Sequence, residues 1–388
     1  MQYQVPPIWL LALITITGTL AMHMFVPGLP TAALEFHAGM PVMQMTISLY
    51  IFGLAIGQLI YGPLSDAYGR RPVLLVGLGI YSVAGILAAI APSVHFLILT
   101  RMLQALGGAA GLVLGRAVVR DTTIANDAVA KLAVMNLMIM IGPGLAPVIG
   151  GLLSVHLGWR SIFVLLATIG FIAWVFSYRL LTETGNPVGK LRIETFINDY
   201  RILLRNRSFM GFALGGSLTT TTMYSFVSAA PFIYVTDLHA SLPEVGFYLS
   251  SLILGIAFGN MLTGWLIAKT NPNTLLKCGN LIIGLSAIVL LLTVYFDALT
   301  IFKTVGLMMI FTFGVGMSSP IAMTKAISVD PSLTGSASGL YGFIQMSIGA
   351  LSIVFVGFGK DPAIATGIIL TIGAILGQVA FKFALREA

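Results

Sequence analysis

Twelve apolar runs, each close to the length of a membrane span, leave this chain few ways to fold. They cover roughly Ile8–Phe25, Met43–Tyr61, Val73–Ala91, Val94–Ala117, Leu132–Val155, Trp159–Leu181, Phe209–Val235, Val245–Ala268, Leu275–Phe296, Ile301–Ile327, Gly335–Val356 and Ala363–Ala384. A helix needs about 20 residues to cross the hydrocarbon core. Lipid offers no partner to a bare N–H or C=O, so only helices and closed barrels can span it. The runs are continuous and not alternating, which selects helices. Composition agrees: 57% of residues are hydrophobic and 9% charged, too few charges to cover a water-facing surface. The expected class is an all-α, multi-pass membrane protein with twelve transmembrane helices.

The net charge of +7 could point to nucleic acid, but its distribution points to a membrane surface. With the amino terminus taken as cytoplasmic, sixteen of the 20 basic residues fall inside, Arg70, Arg71, Arg116, Arg205, Arg207 and Lys325 among them. Arg160, Lys303 and Lys360 fall outside, and Arg101 lies within a run. That bias places both termini in the cytoplasm. It also turns the basic excess toward anionic headgroups, with no nucleic-acid partner. The first run reads as a span and not a cleaved signal, because Met1–Pro7 carries no Lys or Arg and no small-residue cleavage site follows. The single Cys278 excludes an internal disulfide.

The longest polar segment, residues 182–208, divides the chain into 1–181 and 209–388. Within it, Leu191–Ile197 reads either as an amphipathic helix on the inner membrane surface or as a solvated linker. The halves resemble each other. Phe25-Val26-Pro27-Gly28-Leu29-Pro30 matches Phe226-Val227-Ser228-Ala229-Ala230-Pro231 at an offset of 201, and Gly57–Leu64 matches Gly259–Leu266 at an offset of 202. A duplicated six-helix unit follows, with a substrate site expected between the halves near mid-membrane.

The loop after run two reads Gly62-Pro63-Leu64-Ser65-Asp66-Ala67-Tyr68-Gly69-Arg70-Arg71. A positive-inside loop needs only its arginines, and its glycines permit a tight turn. The spacing GxLxDxxGRR resembles the signature loop of the major facilitator superfamily. The resemblance implies two pseudo-symmetric six-helix bundles. It also implies that Asp66 caps the inner end of a helix in the other half, run eleven, and that Arg70 meets Asp121, both contacts locking the outward-facing state.

Run four carries Arg101, Gln104, Gly108, Gly111 and Gly115 at helical spacing, giving one thin, polar face. An intramembrane arginine is costly and faces a wet cavity or a partner. Arg101 therefore serves transport or holds the structure, and the residues leave both open. Sequences of this type resemble a superfamily signature implicated in proton transfer, with Ala105-Leu106 where a glycine usually follows the glutamine. Run five carries Gly142, Pro143, Pro147, Gly150 and Gly151, the pattern of a kinked packing helix. It resembles the motif of the superfamily's antiporters, with Ala146 replacing a glycine, which implies export. Arg116-Ala117-Val118-Val119-Arg120-Asp121 and Ser228-Ala229-Ala230-Pro231-Phe232-Ile233-Tyr234 are similar to the bicyclomycin/chloramphenicol-resistance (Bcr/CflA) branch of drug:proton antiporters.

In that branch the first helix usually ends Asp-Met-Tyr-Leu-Pro. This chain has His23-Met24-Phe25-Val26-Pro27 there, and none of its 13 acidic residues falls in the middle third of a predicted helix. His23 shares a stripe with Thr15 and Thr19. Ser338, Tyr341, Gln345 and Ser352 form another on run eleven. Gln58, Asn136, Thr222, Tyr224, Asn260 and Asn280 add polar groups expected to line a central cavity. The ring of His23 is either a neutral hydrogen-bonding group or an imidazole that couples protons or touches substrate, since histidine titrates near neutral pH.

No HExxH, GxSxG or GxxxxGK[ST] is present, so neither a metalloprotease, a serine hydrolase nor a nucleotide-driven pump is expected, and no metal or cofactor is implied. The expected protein is a monomeric secondary transporter in a bacterial inner membrane, exporting small molecules or drugs in exchange for protons. A carrier of an anionic metabolite or siderophore-like chelate is the alternative within transport, because Arg101 and His23 without an acid suit anions. A channel or sensor is the alternative of another class, and no ring of pore charges supports it.

Overall fold

The computed structural model describes residues 6–122, 142–185, 187, 189–190 and 193–387, and almost all of them are helical. The first half contains α1 (Ile8–Met24), a single 3-10 turn (Val26–Gly28), α2 (Leu29–Glu35), α3 (Met40–Tyr68), α4 (Arg70–Ala89), α5 (Val94–Thr122), α6 (residues 142–156) and α7 (Arg160–Leu180). A connecting helix, α8 (Ile193–Arg205), follows. The second half contains α9 (Arg207–Thr221), α10 (Met223–Phe232), α11 (Leu242–Leu266), α12 (Pro272–Tyr295), α13 (Ile301–Ile327), α14 (Thr334–Gly357) and α15 (Pro362–Glu387). Ten stretches among the described residues are long and apolar enough to cross a membrane. The other two predicted runs correspond to α6, with Asn136 lying outside the described residues, and to α9–α10.

Two predicted runs are broken where the sequence gives a reason. Pro27 lacks the N–H that would continue α1, and the chain makes a 3-10 turn before α2. The α9–α10 break falls at Thr222, the last of four consecutive threonines. Each hydroxyl donates to the carbonyl four residues earlier, at 2.6–2.9 Å. Such back-bonding competes with the helical ladder and bends it.

The halves repeat one packing scheme. In the first, α5 packs on α1, α3 and α4, and α4 on α7; in the second, α13 packs on α9, α11 and α12, and α12 on α15. Glycines make the repeat close. A Cβ on Gly107 would lie 2.5 Å from the Gly77 carbonyl oxygen, and one on Gly314 would lie 2.6 Å from that of Gly279. The turn residues His37 (φ 50°) and His239 (φ 55°), 202 positions apart, repeat the same left-handed conformation. This is a twelve-helix architecture of two pseudo-symmetric bundles. Between them, α3 packs on α14, and α6 packs on α11 through Gly246, whose Cβ would sit 2.5 Å from the Pro147 carbonyl oxygen.

Gly107→Ala and Gly314→Ala are each expected to cost about 1–3 kcal/mol, because the new methyl meets backbone that cannot give way. The readout is the melting temperature of the purified protein. An unchanged value for both would contradict the close packing.

Candidate substrate pathway and gate

A cavity of about 690 Å³ opens between the halves at the end of the molecule that carries Gly69. Gln58, Ser65 and Arg116 line it from the first half, and Met323, Ser336 and Ser338 from the second. At the opposite end, which carries Glu35, the halves touch. Gln44 Nε2 donates to Ser228 Oγ at 3.3 Å, and Ser48 Oγ to the Ala350 carbonyl at 2.9 Å. Gly151 of α6 lies against the start of α11, where a Cβ would be 2.7 Å from the Leu242 oxygen. The molecule is open at one end and sealed at the other. Helix α8 bridges the open end: Tyr200 Oη donates to the Leu59 carbonyl at 3.3 Å, and Ser336 Oγ to Asp199 at 3.0 Å.

The signature loop forms the cavity rim. Gly62 faces open space, and Gly69 has φ +98°, which only glycine adopts freely. Arg70 Nη1 pairs with Asp66 at 2.6 Å, and its Nε donates to Asp121 at 3.1 Å, the partner that the resemblance implies. Arg71 Nη2 donates to the Tyr178 carbonyl at 2.8 Å. Asp66 does not cap run eleven in this conformation. Its side chain is 52% exposed, its bond is to Arg70, and α14 starts across the cavity with no side-chain cap. The separation of the halves at this end is the reason.

Glu183 is a rim residue that sequence reasoning missed. Its carboxylate accepts from the backbone N–H of Arg70 (2.8 Å) and Arg71 (3.2 Å), so it caps α4 from the far end of the first half. The signal was local: α4 begins Gly69-Arg70-Arg71-Pro72, with no capping side chain of its own, so an acceptor had to come from elsewhere.

Arg101 and Gln104 lie inside the first half, away from this cavity. Both are fully buried. Arg101 Nη1 donates to Gln104 Oε1 at 2.7 Å and Nη2 to the Ala21 carbonyl at 2.8 Å. The Phe25 N–H turns to the His23 oxygen at the end of α1, so the Ala21 carbonyl takes the guanidinium in its place. The guanidinium carbon stands 3.9 Å from the centre of the Tyr50 ring, within cation–π range. Arg101 thus clamps the end of α1, two residues before His23. Tyr50 Oη and Tyr81 Oη hold the same helix, donating to the carbonyls of Gly18 (2.7 Å) and Thr17 (3.0 Å).

His23 sits at the sealed end, where α1 and α6 of one half meet α10 and α11 of the other. A void of about 20 Å³ there is bordered by His23, Pro143, Pro147, Met223, Leu249 and Ile253. Its ring centre is 6.3 Å from that of Tyr224. Among the described residues no acid borders the imidazole, and the Tyr224 ring is its one aromatic neighbour. Thr15 and Thr19 do not join it in a cavity, because their hydroxyls donate back into α1.

The expected single polar cavity is therefore corrected. Gln58 and Ser338 line the space that exists. Tyr341 is buried within the second half, beside Gly216. Gln345 Nε2 donates to Thr220 Oγ1 at 3.1 Å, and Asn280 Nδ2 to Gln378 Oε1 at 2.6 Å, both inside that half. Ser352 and Thr222 bond to their own helices. Asn260 is partly exposed on α11, next to Gly316 of α13. A buried polar group in lipid must find a partner, and most found one in their own bundle. The α6 motif acts through contact. Gly142 faces Ile16 of α1, Gly150 the Met24 carbonyl, and Gly151 and Pro147 face α11, while Pro143 borders the void by His23.

The profile of the Major Facilitator Superfamily matches residues 11–353. The chain belongs to that superfamily. It is 31% identical over 385 residues to the "Uncharacterized MFS-type transporter YdgK" of Bacillus subtilis (strain 168), covering 98% of this chain and 95% of that one. It is 24% identical to the "Bicyclomycin resistance protein homolog" of Haemophilus influenzae, covering 96% and 94%. The "Multidrug transporter MdfA" of Yersinia pestis is 27% identical over 88% of this chain and 84% of its own. Among solved structures, a bacterial homolog of the human lysosomal transporter Spinster, in an inward-facing and unoccupied conformation, matches with a TM-score of 0.81 at 17% identity, covering 98% and 97%. A D-xylose-proton symporter matches at 0.76 and 14%, covering 95% and 96%. These two share the major facilitator fold. The chain is a multi-pass membrane transporter of that superfamily and not an enzyme.

Two predictions follow from this geometry. Asp66→Asn is expected to leave the melting temperature of the open form nearly unchanged, since an exposed ion pair contributes under about 1 kcal/mol, while transport falls steeply. Equal transport at equal expression would remove Asp66 from the gate. Arg101→Lys cannot hold both Gln104 and the Ala21 carbonyl and is expected to cost about 1–3 kcal/mol of stability. A melting temperature equal to wild type would contradict the clamp.

Proposed function

We propose that this transporter exports small molecules or drugs across a bacterial inner membrane by alternating access, in exchange for protons, acting as a monomer. The observation that carries the reading is the one-sided cavity: space between the halves at the Gly69 end, contact between them at the Glu35 end. The basic residues gather at the Gly69 end, which makes that end and both termini cytoplasmic. The conformation is then the inward-open one, ready to load substrate from inside. The Asp66–Arg70–Asp121 cluster forms the cytoplasmic gate. On closure Asp66 comes within reach of the Pro331–Leu333 turn that leads into α14, where Asp330 already accepts from the Ser332 N–H at 2.9 Å and Asp66 would add a second carboxylate at the positive helix start.

His23 is the proton carrier in this reading. It lies on the seam that must part for the outward-open state, so the ring meets outside water only then. In the inward-open state Pro143, Pro147, Met223, Leu249 and Ile253 border the ring, and no acidic side chain among the described residues lines that void. Arg101 fixes the end of α1 and so positions the imidazole. The names of the bicyclomycin-resistance and multidrug relatives support drugs as substrates. A carrier of anionic metabolites is the second reading, favoured by Arg116, an exposed cation in the cavity wall with no acidic partner among the described residues.

His23→Gln keeps size and hydrogen bonding but cannot titrate. In proteoliposomes with an imposed pH gradient it is expected to abolish uphill accumulation and spare downhill substrate exchange. Uphill transport at the wild-type rate would overturn the assignment. A panel of neutral, cationic and anionic compounds in the same vesicles separates the two substrate readings.

A further inference from the structure

After α7 the chain folds back onto the signature loop before it reaches the second half. Glu183 accepts from the Arg70 and Arg71 N–H groups, and the Gly189 N–H donates to the Ala67 carbonyl at 3.0 Å. Helix α8 then crosses the cavity mouth, where Phe196 and Tyr200 form part of the wall. Pro63 lies inside α3 and has no N–H, so the Leu59 carbonyl, four residues earlier, lacks its helical donor. Tyr200 supplies one, its Oη donating at 3.3 Å. On the neighbouring residue, Asp199 Oδ2 accepts from Ser336 Oγ at 3.0 Å, in the first turn of α14. Adjacent side chains of one helix thus bond to opposite halves.

Tyr200 stands in the angle where α3 and α14 part. Deeper in, those helices touch: a Cβ on Gly339 would lie 3.1 Å from the Gln58 carbonyl oxygen, with Tyr200 Oη 3.8 Å away. On the open side, Gly62 and Asp66 of α3 face Ser332 and Gly335 across the cavity. Closing that gap brings α3 onto the place that the phenol fills. It also brings Asp66 to a helix start where Asp199 already stands, and two carboxylates there repel each other. The α8 bonds and the closed mouth are therefore alternatives. A contact made in one state and lost in the other shifts the balance toward the state that has it. We infer that α8 is a strap that holds the mouth open, Tyr200 fastening it to α3 and Asp199 fastening it to α14 in the place that Asp66 takes on closure. Under the alternating-access reading, on which this rests, the strap makes the form open at the Gly69 end the resting one.

Spin labels on Leu34→Cys with Phe358→Cys, in a Cys278→Ser background, read the sealed end at exposed positions away from α8. Pulsed electron paramagnetic resonance on the full-length protein in lipid nanodiscs, across a pH series, gives the ratio of long to short distances. Tyr200→Phe removes one hydroxyl and is expected to raise that ratio roughly two- to ten-fold, the effect of one hydrogen bond. Ser336→Ala is expected to act in the same direction, and the two together more than either alone. Arg201→Gln, exposed on the same helix, is expected to match the background. Melting temperatures confirm that each variant is folded, and either single variant carries the test if the other is not. Ratios in Tyr200→Phe and Ser336→Ala equal to the background or below it, while the background itself moves with pH, overturn the strap and leave alternating access standing. A short distance that neither pH nor any variant changes overturns both.

Discussion

Helices in lipid are not driven together by water, because the medium around them is as apolar as their own side chains. They associate where backbones can approach closely and where polar groups find each other. The glycine contacts of this transporter meet the first condition. Gly77 and Gly107 in one half, and Gly279 and Gly314 in the other, bring paired helices to backbone contact at equivalent places. Each half is thereby tied together by backbone contact. The interface between halves is different: among the described residues, α3–α14 and α6–α11 carry few hydrogen bonds, which suits the parting and closing proposed above.

The second condition explains the buried polar groups. Arg101 is the most demanding, a guanidinium with 0% exposure inside the first bundle. It is tolerated because Gln104, the Ala21 carbonyl and the face of Tyr50 surround it. That contact fixes the geometry of α1 where the helix breaks and where His23 begins the seam between halves. The intramembrane cation therefore acts on the backbone that it holds, two residues from the His23 ring.

Much of the fold was legible in the sequence. Run lengths give the spans, the 201–202 offsets give the duplication, and Gly62–Arg71 gives the superfamily. The site was less so. Polar residues spaced by three or four read as a cavity stripe, but the same spacing lets a threonine bond to its own helix, as Thr15 and Thr222 do. Gln345 and Asn280 could have faced either a cavity or a neighbour, and only three-dimensional packing decides between these. The missing cap at the start of α4 was legible locally, but Glu183, its acceptor, stood 113 residues from the Arg70 N–H and no local pattern could name it. The partners of Asp66 depend on conformation, which a sequence does not specify.

In the proposed cycle one body of helices rocks against the other, opening the Gly69 end while the Glu35 end is shut. Paired spin labels measure this directly in a Cys278→Ser background. One pair, Ala117→Cys with Ser332→Cys, spans the cavity walls; the other, Leu34→Cys with Phe358→Cys, spans the sealed end at exposed positions. Distances read by pulsed electron paramagnetic resonance, across a pH series and with added substrate, are predicted to move in opposite directions, the first shortening as the second lengthens. Two distances that stay fixed, or that lengthen together, would contradict alternating access in this protein.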